Sequence, residues 1–150
     1  MTTASTPGAT GRRVRRIVVA YDGSESSVRA VRFALDTWPR EEAEVWVVHA
    51  RSTPRIVAEP RTDEEQGSEI DAIAQSLRTI QSTADPTGKR VHTWTREGAA
   101  AAVILAAAAE VNADLIVVGT RGLRGAGRLF LGSVSNEVVM RSDRPVTVVR

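Results

Sequence analysis

Short runs of β-branched residues alternate along this chain with longer stretches in which apolar side chains recur every three or four positions. Period two or a solid apolar run marks strands, and a three-to-four step marks one buried helical face. The first strand reads Arg16 to Tyr21 (RIVVAY), and a helix follows from about Ser26 to Trp38, with Val28, Val31, Leu35 and Trp38 as one buried stripe. Pro39 ends that helix, because its ring cannot continue the hydrogen-bond ladder. Glu44 to Ala50 (EVWVVHA) has the nearly continuous apolar centre of a strand buried on both faces.

Arg51 to Gly67, with two prolines and many charges, reads as a mobile crossover leading into a second helix striped by Ile70, Ile73, Leu77 and Ile80. Asp85-Pro86-Thr87-Gly88 is a turn by composition. Arg90 to Thr95 (RVHTWT) alternates apolar and polar residues, which predicts a strand at a sheet edge. An alanine-rich helix spans Ala99 to about Val111, Asn112-Ala113-Asp114 turns into a strand at Asp114 to Gly119, and a fourth helix covers about Ser133 to Arg141. Ser142 to Arg144 and Pro145 then lead into the last strand, Val146 to Val149. The order βαβαβαβαβ predicts a parallel α/β sheet with helices on both faces.

Composition narrows the setting. The chain has 150 residues, the size of one domain, so the reading is a basic disordered tail at 1–14 and a folded domain at 15–150. The isoelectric point of 9.9 is largely a tail property. Four arginines and no acid lie in residues 1–16, and without them the overall +2 becomes −2 for the remainder. Absence of cysteine excludes disulfides, thiolate metal sites and a thiol nucleophile. The longest apolar run, Ala99 to Ala109, falls short of the ~20 residues of a membrane span, and the first residues lack a secretory apolar core. A cytoplasmic protein without membrane contact is expected.

Chemistry concentrates between Gly119 and Ser135, where GTRGLRGAGRLFLGSVS carries five glycines and three arginines between a strand and a helix start. Glycines let backbone N–H groups approach a ligand, and the helix start adds unpaired donors and the positive end of a dipole, so this stretch predicts a phosphate site. Asp22-Gly23-Ser24, after the first strand, offers a carboxylate that can accept from ribose hydroxyls or an adenine amino group. Ligands in open parallel sheets collect beyond the carboxyl ends of the strands, where strand order reverses. If the first and fourth strands are neighbours, the two segments face one crevice. Rival phosphate motifs fail on residues: the only lysine is Lys89, which excludes a Walker A loop, and Phe130 stands where a dinucleotide fingerprint starting at Gly125 needs glycine.

The spacing Gly119-x2-Gly122-x9-Gly132-Ser133 resembles the signature of the ATP-binding branch of the universal stress protein family. The likeness also runs through Ile17-Val18-Val19, Asp22-Gly23-Ser24, Val45 to His49, Ala113 to Gly119 and Arg144-Pro145-Val146. It implies a single-domain, Rossmann-like fold of the adenine nucleotide alpha hydrolase type, a five-stranded parallel sheet ordered 3-2-1-4-5. It further implies that Asp22 faces adenosine and Ala50 packs against adenine. Gly119, Arg121, Gly122 and Gly132 would surround phosphates, with Ser133, Val134 and Ser135 supplying hydroxyl and backbone donors. The implied ligand is ATP with magnesium, and the implied assembly is a homodimer paired through the last strand. Two departures stand out: Ala99 replaces a common proline, and Tyr21 is bulky enough to narrow or stack in the adenine end.

Plainer readings accompany these. Asp22, Ser24, Ser26, Ser133 and Ser135 are also helix-capping residues by type. Arg124 and Arg128 read as solvated loop charges, His49 as a packed structural histidine, and Trp38, Trp46 and Trp94 as packing groups. The function expected is nucleotide-responsive regulation in stress response through an unidentified protein partner, not catalysis. The alternatives are slow ATP hydrolysis, self-phosphorylation on Ser133 or Ser135, a cyclic AMP ligand in the same site, and nonspecific nucleic-acid or membrane contact through Arg12 to Arg16.

Overall fold

A computed structural model describes residues 13–38, 43–51, 63–120 and 131–150, with 63–66 described as helix backbone only. The elements are β1 (Arg16–Ala20), α1 (Glu25–Thr37), β2 (Glu44–Arg51), α2 (Asp63–Ala84), β3 (Val91–Glu97), α3 (Ala100–Glu110), β4 (Leu115–Gly119), α4 (Ser133–Arg141) and β5 (Val146–Val149). The strands form one sheet in the order β3-β2-β1-β4-β5, with every neighbouring pair parallel. The expected adjacency of the first and fourth strands is therefore present, with Val18 opposite Ile116. β3 lies at an edge, as its alternating sequence predicted.

Strand parity sorts the core into two layers. Ile17, Val19, Tyr21, Val45, Val47 and Val117 face α1 and α2. Val18, Val48, Ile116 and Val118 face α3 and α4, where Ala101, Ala107 and Ala108 leave so little side chain that α3 lies close on the sheet. Tyr21 is buried in the α1/α2 core, at 6% exposure, and also lines the cavity beyond the ends of β1 and β4, where the sequence suggested it could narrow the adenine end. Even and odd positions leave a strand on opposite faces.

Three expectations change. Helix α2 begins at Asp63, inside the stretch read as a crossover. Both prolines of that stretch precede Asp63, and Asp-Glu-Glu-Gln suits a helix start without contributing an apolar stripe to betray it. Val28 and Ile70, expected on buried stripes, are 38% and 43% exposed. Helix α1 instead buries Ser27, Ala30, Val31 and Ala34, a face of small residues.

The lower end of the sheet is tied by polar groups. Asp85 accepts from the Thr87 hydroxyl at 2.6 Å, the Thr87 amide at 3.2 Å, the Arg90 amide at 2.5 Å and the Val91 amide at 3.0 Å. The Thr87 hydroxyl, followed by these amides, holds its carboxyl far below the usual carboxylate range. Arg90 is buried and donates to the carbonyls of Leu35, Trp38 and Ala43, closing the end of α1, whose own last turn has no basic residue. Val14 packs against the α1/α2 core, and the remainder of the expected tail, residues 1–12, lies outside the described residues.

Candidate functional site

Beyond the carboxyl ends of β1 and β4 lies a cavity of about 130 Å³ at the point where strand order reverses. Ala20, Val48, Ala50, Val118 and Ile104 form its apolar wall, and Asp22, Gly119, Gly132, Val134 and Ser135 contribute the rim. The small residues Ala20, Ala50 and Ala100 create the space. Among the described residues lining it, Asp22 alone carries charge. Pockets that enclose a whole drug-sized ligand run about 300–1,000 Å³, so these residues build one end of a site.

Three helix starts converge there. At α1 the Ser27 N–H is answered from within the chain. Ser24 is the N-cap and accepts from the Ser27 amide at 3.3 Å, while the Ser27 hydroxyl donates to the Ser24 carbonyl at 2.9 Å. The Ser24 amide donates to Asp22 Oδ1 at 3.0 Å, and the Asp22 amide donates to the Ser27 hydroxyl at 3.3 Å. Gly23 makes this turn possible with φ of +80°. The Ser24 and Ser26 hydroxyls lie 3.1 Å apart.

At α4 the situation differs. Its N-cap is Gly132, which has no side chain to give, no acid stands in the first turn, and no side-chain cap is made. Ser135 is buried and its hydroxyl donates to the Gly132 carbonyl at 2.9 Å, turning inward to the cap. The N-cap of α3, Ala99, likewise makes no side-chain bond, and Ala100 and Ile104 of that helix line the cavity. Two helix starts whose N-cap residues make no side-chain cap, with their dipoles aligned toward the cavity, favour an anion.

Gly119 has a further reason to be glycine. A Cβ there would lie 2.4 Å from the Ser26 carbonyl oxygen and 2.9 Å from the Ser27 nitrogen. The end of β4 therefore presses directly on the first turn of α1, and the bare backbone is demanded by packing as well as by any ligand.

Of the residues nominated from sequence, Asp22, Ala50, Gly119, Gly132, Val134 and Ser135 meet at this cavity. Ser133 is the first residue of α4 but is exposed and outside the described lining. Arg121 and Gly122 lie outside the described residues, as do Arg124 and Arg128. The sequence reading missed Val48, Ile104, Ala100 and the serines of α1. Val48 was within reach, since it sits two positions before Ala50 and so on the same face. His49, on the opposite face, bonds through Nδ1 to the Tyr21 carbonyl at 3.0 Å, a structural contact.

The other ring residues gather away from the cavity. Trp46 stacks on His92 with centroids 4.1 Å apart and meets Trp94 edge-on at 4.6 Å, while the Arg96 guanidinium lies 4.2 Å from the Trp94 ring centroid. Arg96 also binds Glu110 of α3 through both carboxylate oxygens, at 2.6 and 3.0 Å, which holds the Glu110 carboxyl below its usual range. These contacts fasten the β3 edge to α3. Among the described residues no group of three or more His, Cys, Asp or Glu side chains is placed to hold a metal, and no helix is long and apolar enough to cross a membrane.

The model of the universal stress protein family matches residues 13–150. A universal stress protein of Thermus aquaticus is 36% identical over 143 residues, covering 91% of this chain and 98% of that protein. One from Methanocaldococcus jannaschii is 32% identical over 139 residues, covering 91% and 82%. Among solved structures, a universal stress protein in complex with cAMP superposes with a TM-score of 0.69 at 31% identity, covering 92% of this chain and 98% of that one. An Arabidopsis thaliana family member with AMP bound superposes with a TM-score of 0.67 at 22% identity, covering 90% of both chains, and so bears on the fold alone.

Proposed function

We propose that this chain, which belongs to the universal stress protein family, is a nucleotide-responsive regulatory protein that holds ATP in the cavity between β1 and β4. The observation that carries the reading is the contrast in caps: the start of α1 has a serine cap on the Ser27 amide and an acid in its first turn, whereas the start of α4 faces the same cavity with glycine as its cap residue and no acid. An anionic group belongs at α4, and the apolar wall of Ala20, Val48, Ala50 and Ile104 suits a flat base. Asp22 stands at the rim where it can accept from a ribose or adenine donor. Arg121 and Gly122 complete the phosphate end in this reading. Magnesium arrives bound to the triphosphate, since the described residues offer no metal cluster.

Nucleotide occupancy would favour one arrangement of the residues around the cavity and so alter contacts with a protein partner. A homodimer through β5 is part of the proposal: β5 ends the sheet, and α4, which packs beside it, exposes Val139 and Met140. Light scattering at micromolar concentration would show twice the chain mass, and a monomer overturns the dimer.

Mass spectrometry of nucleotide carried through a gentle purification, followed by calorimetry with millimolar ATP and magnesium, tests the ligand. Saturable heat that disappears in Asp22→Ala is the expected result. Absence of heat and of any carried nucleotide sinks the reading. A second reading, cyclic AMP in the same site, is favoured by the cAMP complex of the 31% identical relative. Competition between the two nucleotides decides, because the longer phosphate chain should win where α4 supplies the donors.

A further inference from the structure

Three buried serines line the cavity between β1 and β4, and they spend their hydroxyl hydrogens differently. Ser27 donates to the Ser24 carbonyl at 2.9 Å and Ser135 to the Gly132 carbonyl at 2.9 Å, so both hydrogens are committed to helix starts. Ser26 is 4% exposed, and among the described residues its hydroxyl bonds only to the Ser24 hydroxyl, 3.1 Å away. We infer that Ser26 is a specificity-determining residue whose hydroxyl bonds a ribose hydroxyl, so that the site prefers ribonucleotides to their deoxy counterparts. The inference rests on the nucleotide reading above.

The surroundings of Ser26 decide which part of a nucleotide it meets. Its backbone presses on Gly119, where a Cβ would come within 2.4 Å of the Ser26 carbonyl oxygen. The Asp22 turn is tied to the same helix start, its amide donating to the Ser27 hydroxyl at 3.3 Å. Asp22 and Glu25 thus place two acids around the start of α1, whereas the first turn of α4 has none. Phosphate is disfavoured beside acids and favoured at an acid-free helix start, which leaves the uncharged sugar for α1.

Hydroxyl chemistry points the same way. Ser24 Oγ already accepts from the Ser27 amide at 3.3 Å. If Ser24 donates to Ser26, the Ser26 hydrogen is left for the cavity, and if Ser26 donates to Ser24, a Ser26 lone pair is left instead. A partner that both donates and accepts satisfies Ser26 in either arrangement. A ribose hydroxyl does both, whereas an ionised phosphate oxygen only accepts. A ribose hydroxyl that donates to Asp22 also keeps lone pairs with which to accept from Ser26. Because Ser26 is buried, leaving that bond unmade is costly, and a site built around a hydroxyl rejects the ligand that lacks it.

Calorimetry of the full chain with ATP, 2′-deoxy-ATP and 3′-deoxy-ATP, each with magnesium, tests this. The wild type should bind ATP about fivefold more tightly than at least one deoxy analogue, the effect of a single hydrogen bond. Ser26→Ala should weaken ATP by about the same factor and leave that analogue within about twofold of its wild-type affinity, because the bond removed is already missing from that ligand. Structural damage alone would weaken both ligands alike and preserve their ratio. Unfolding curves confirm that the variant folds, and the wild-type comparison does not depend on it. Equal affinity of the wild type for all three ligands, or a preference undiminished in Ser26→Ala, overturns the inference while the heat of ATP binding keeps the nucleotide reading intact. Absence of ATP heat in the wild type sinks both.

Discussion

The starts of α1 and α4 meet at one cavity, yet they solve the same problem in opposite ways. Helix α1 caps its Ser27 amide with Ser24 and ties that cap to the Ser27 hydroxyl and the Asp22 turn, all within six residues of sequence. Helix α4 begins on Gly132 with no side-chain partner, and its buried serine turns back to the cap carbonyl. A helix end next to a cavity whose cap residue has no side chain to offer does not occupy its own leading donors that way. Local bonding therefore distinguishes the two helix starts, although both line the same cavity.

The largest way to break the contrast is Gly119→Ala. Its Cβ would meet the Ser26 backbone at 2.4 Å and push β4 away from α1, costing about 3 kcal/mol in denaturant unfolding and removing nucleotide heat with it. Gly132→Asp is the sharper probe. Gly132 has φ of −61° and ψ of 159°, which any residue adopts, and aspartate is a favoured N-cap, so stability should hold or rise slightly. The new carboxylate would take the place of phosphate, and ATP affinity should fall about tenfold by calorimetry, equivalent to about 1.4 kcal/mol.

At α1 the expectation reverses: Ser24→Ala should cost about 1 kcal/mol of stability and leave affinity within about twofold of the wild type. Equal losses of affinity in the two cap variants would erase the distinction.

Asp85→Asn should have the smallest effect on the cleft, since Asp85 is already committed to Thr87, Arg90 and Val91 at the far end of the sheet. Its carboxyl is held low in the folded chain, and unfolding returns it to about 3.9. The unfolded state then binds the proton first as pH falls. The contribution is therefore complete above about pH 4 and is lost progressively below it. Asp85→Asn should flatten the acid limb of the stability profile between about pH 4 and 2 while leaving ATP heat unchanged at pH 7.

Much of this molecule was legible along the chain. β5 and α4 have the bounds expected, and the alternation of RVHTWT identified β3 as an edge. Asp22, Ala50, Gly119, Gly132, Val134 and Ser135 were nominated and do line one cavity. Val28 and Ile70 were misplaced because period reports a face, and cannot say that small residues such as Ala30 and Ala34 would set which part of it reaches the sheet. Tyr21 was expected beside Asp22 and does line the cavity with it, while parity also packs it into the α1/α2 layer, which no local pattern announced.

The sequence by itself determined the order of strands and helices, the family and the glycine-rich connection, because period, turn chemistry and motif spacing are local properties of neighbouring residues. Only the tertiary structure decided that Gly119 yields its side-chain space to the Ser26 backbone, that the glycine-capped start of α4 lies beside an apolar wall, and that α1 and α2 stand apart over a groove. Each of these depends on segments distant in sequence being pressed together by burial of the sheet, and no local pattern encodes which atoms then compete for the same space.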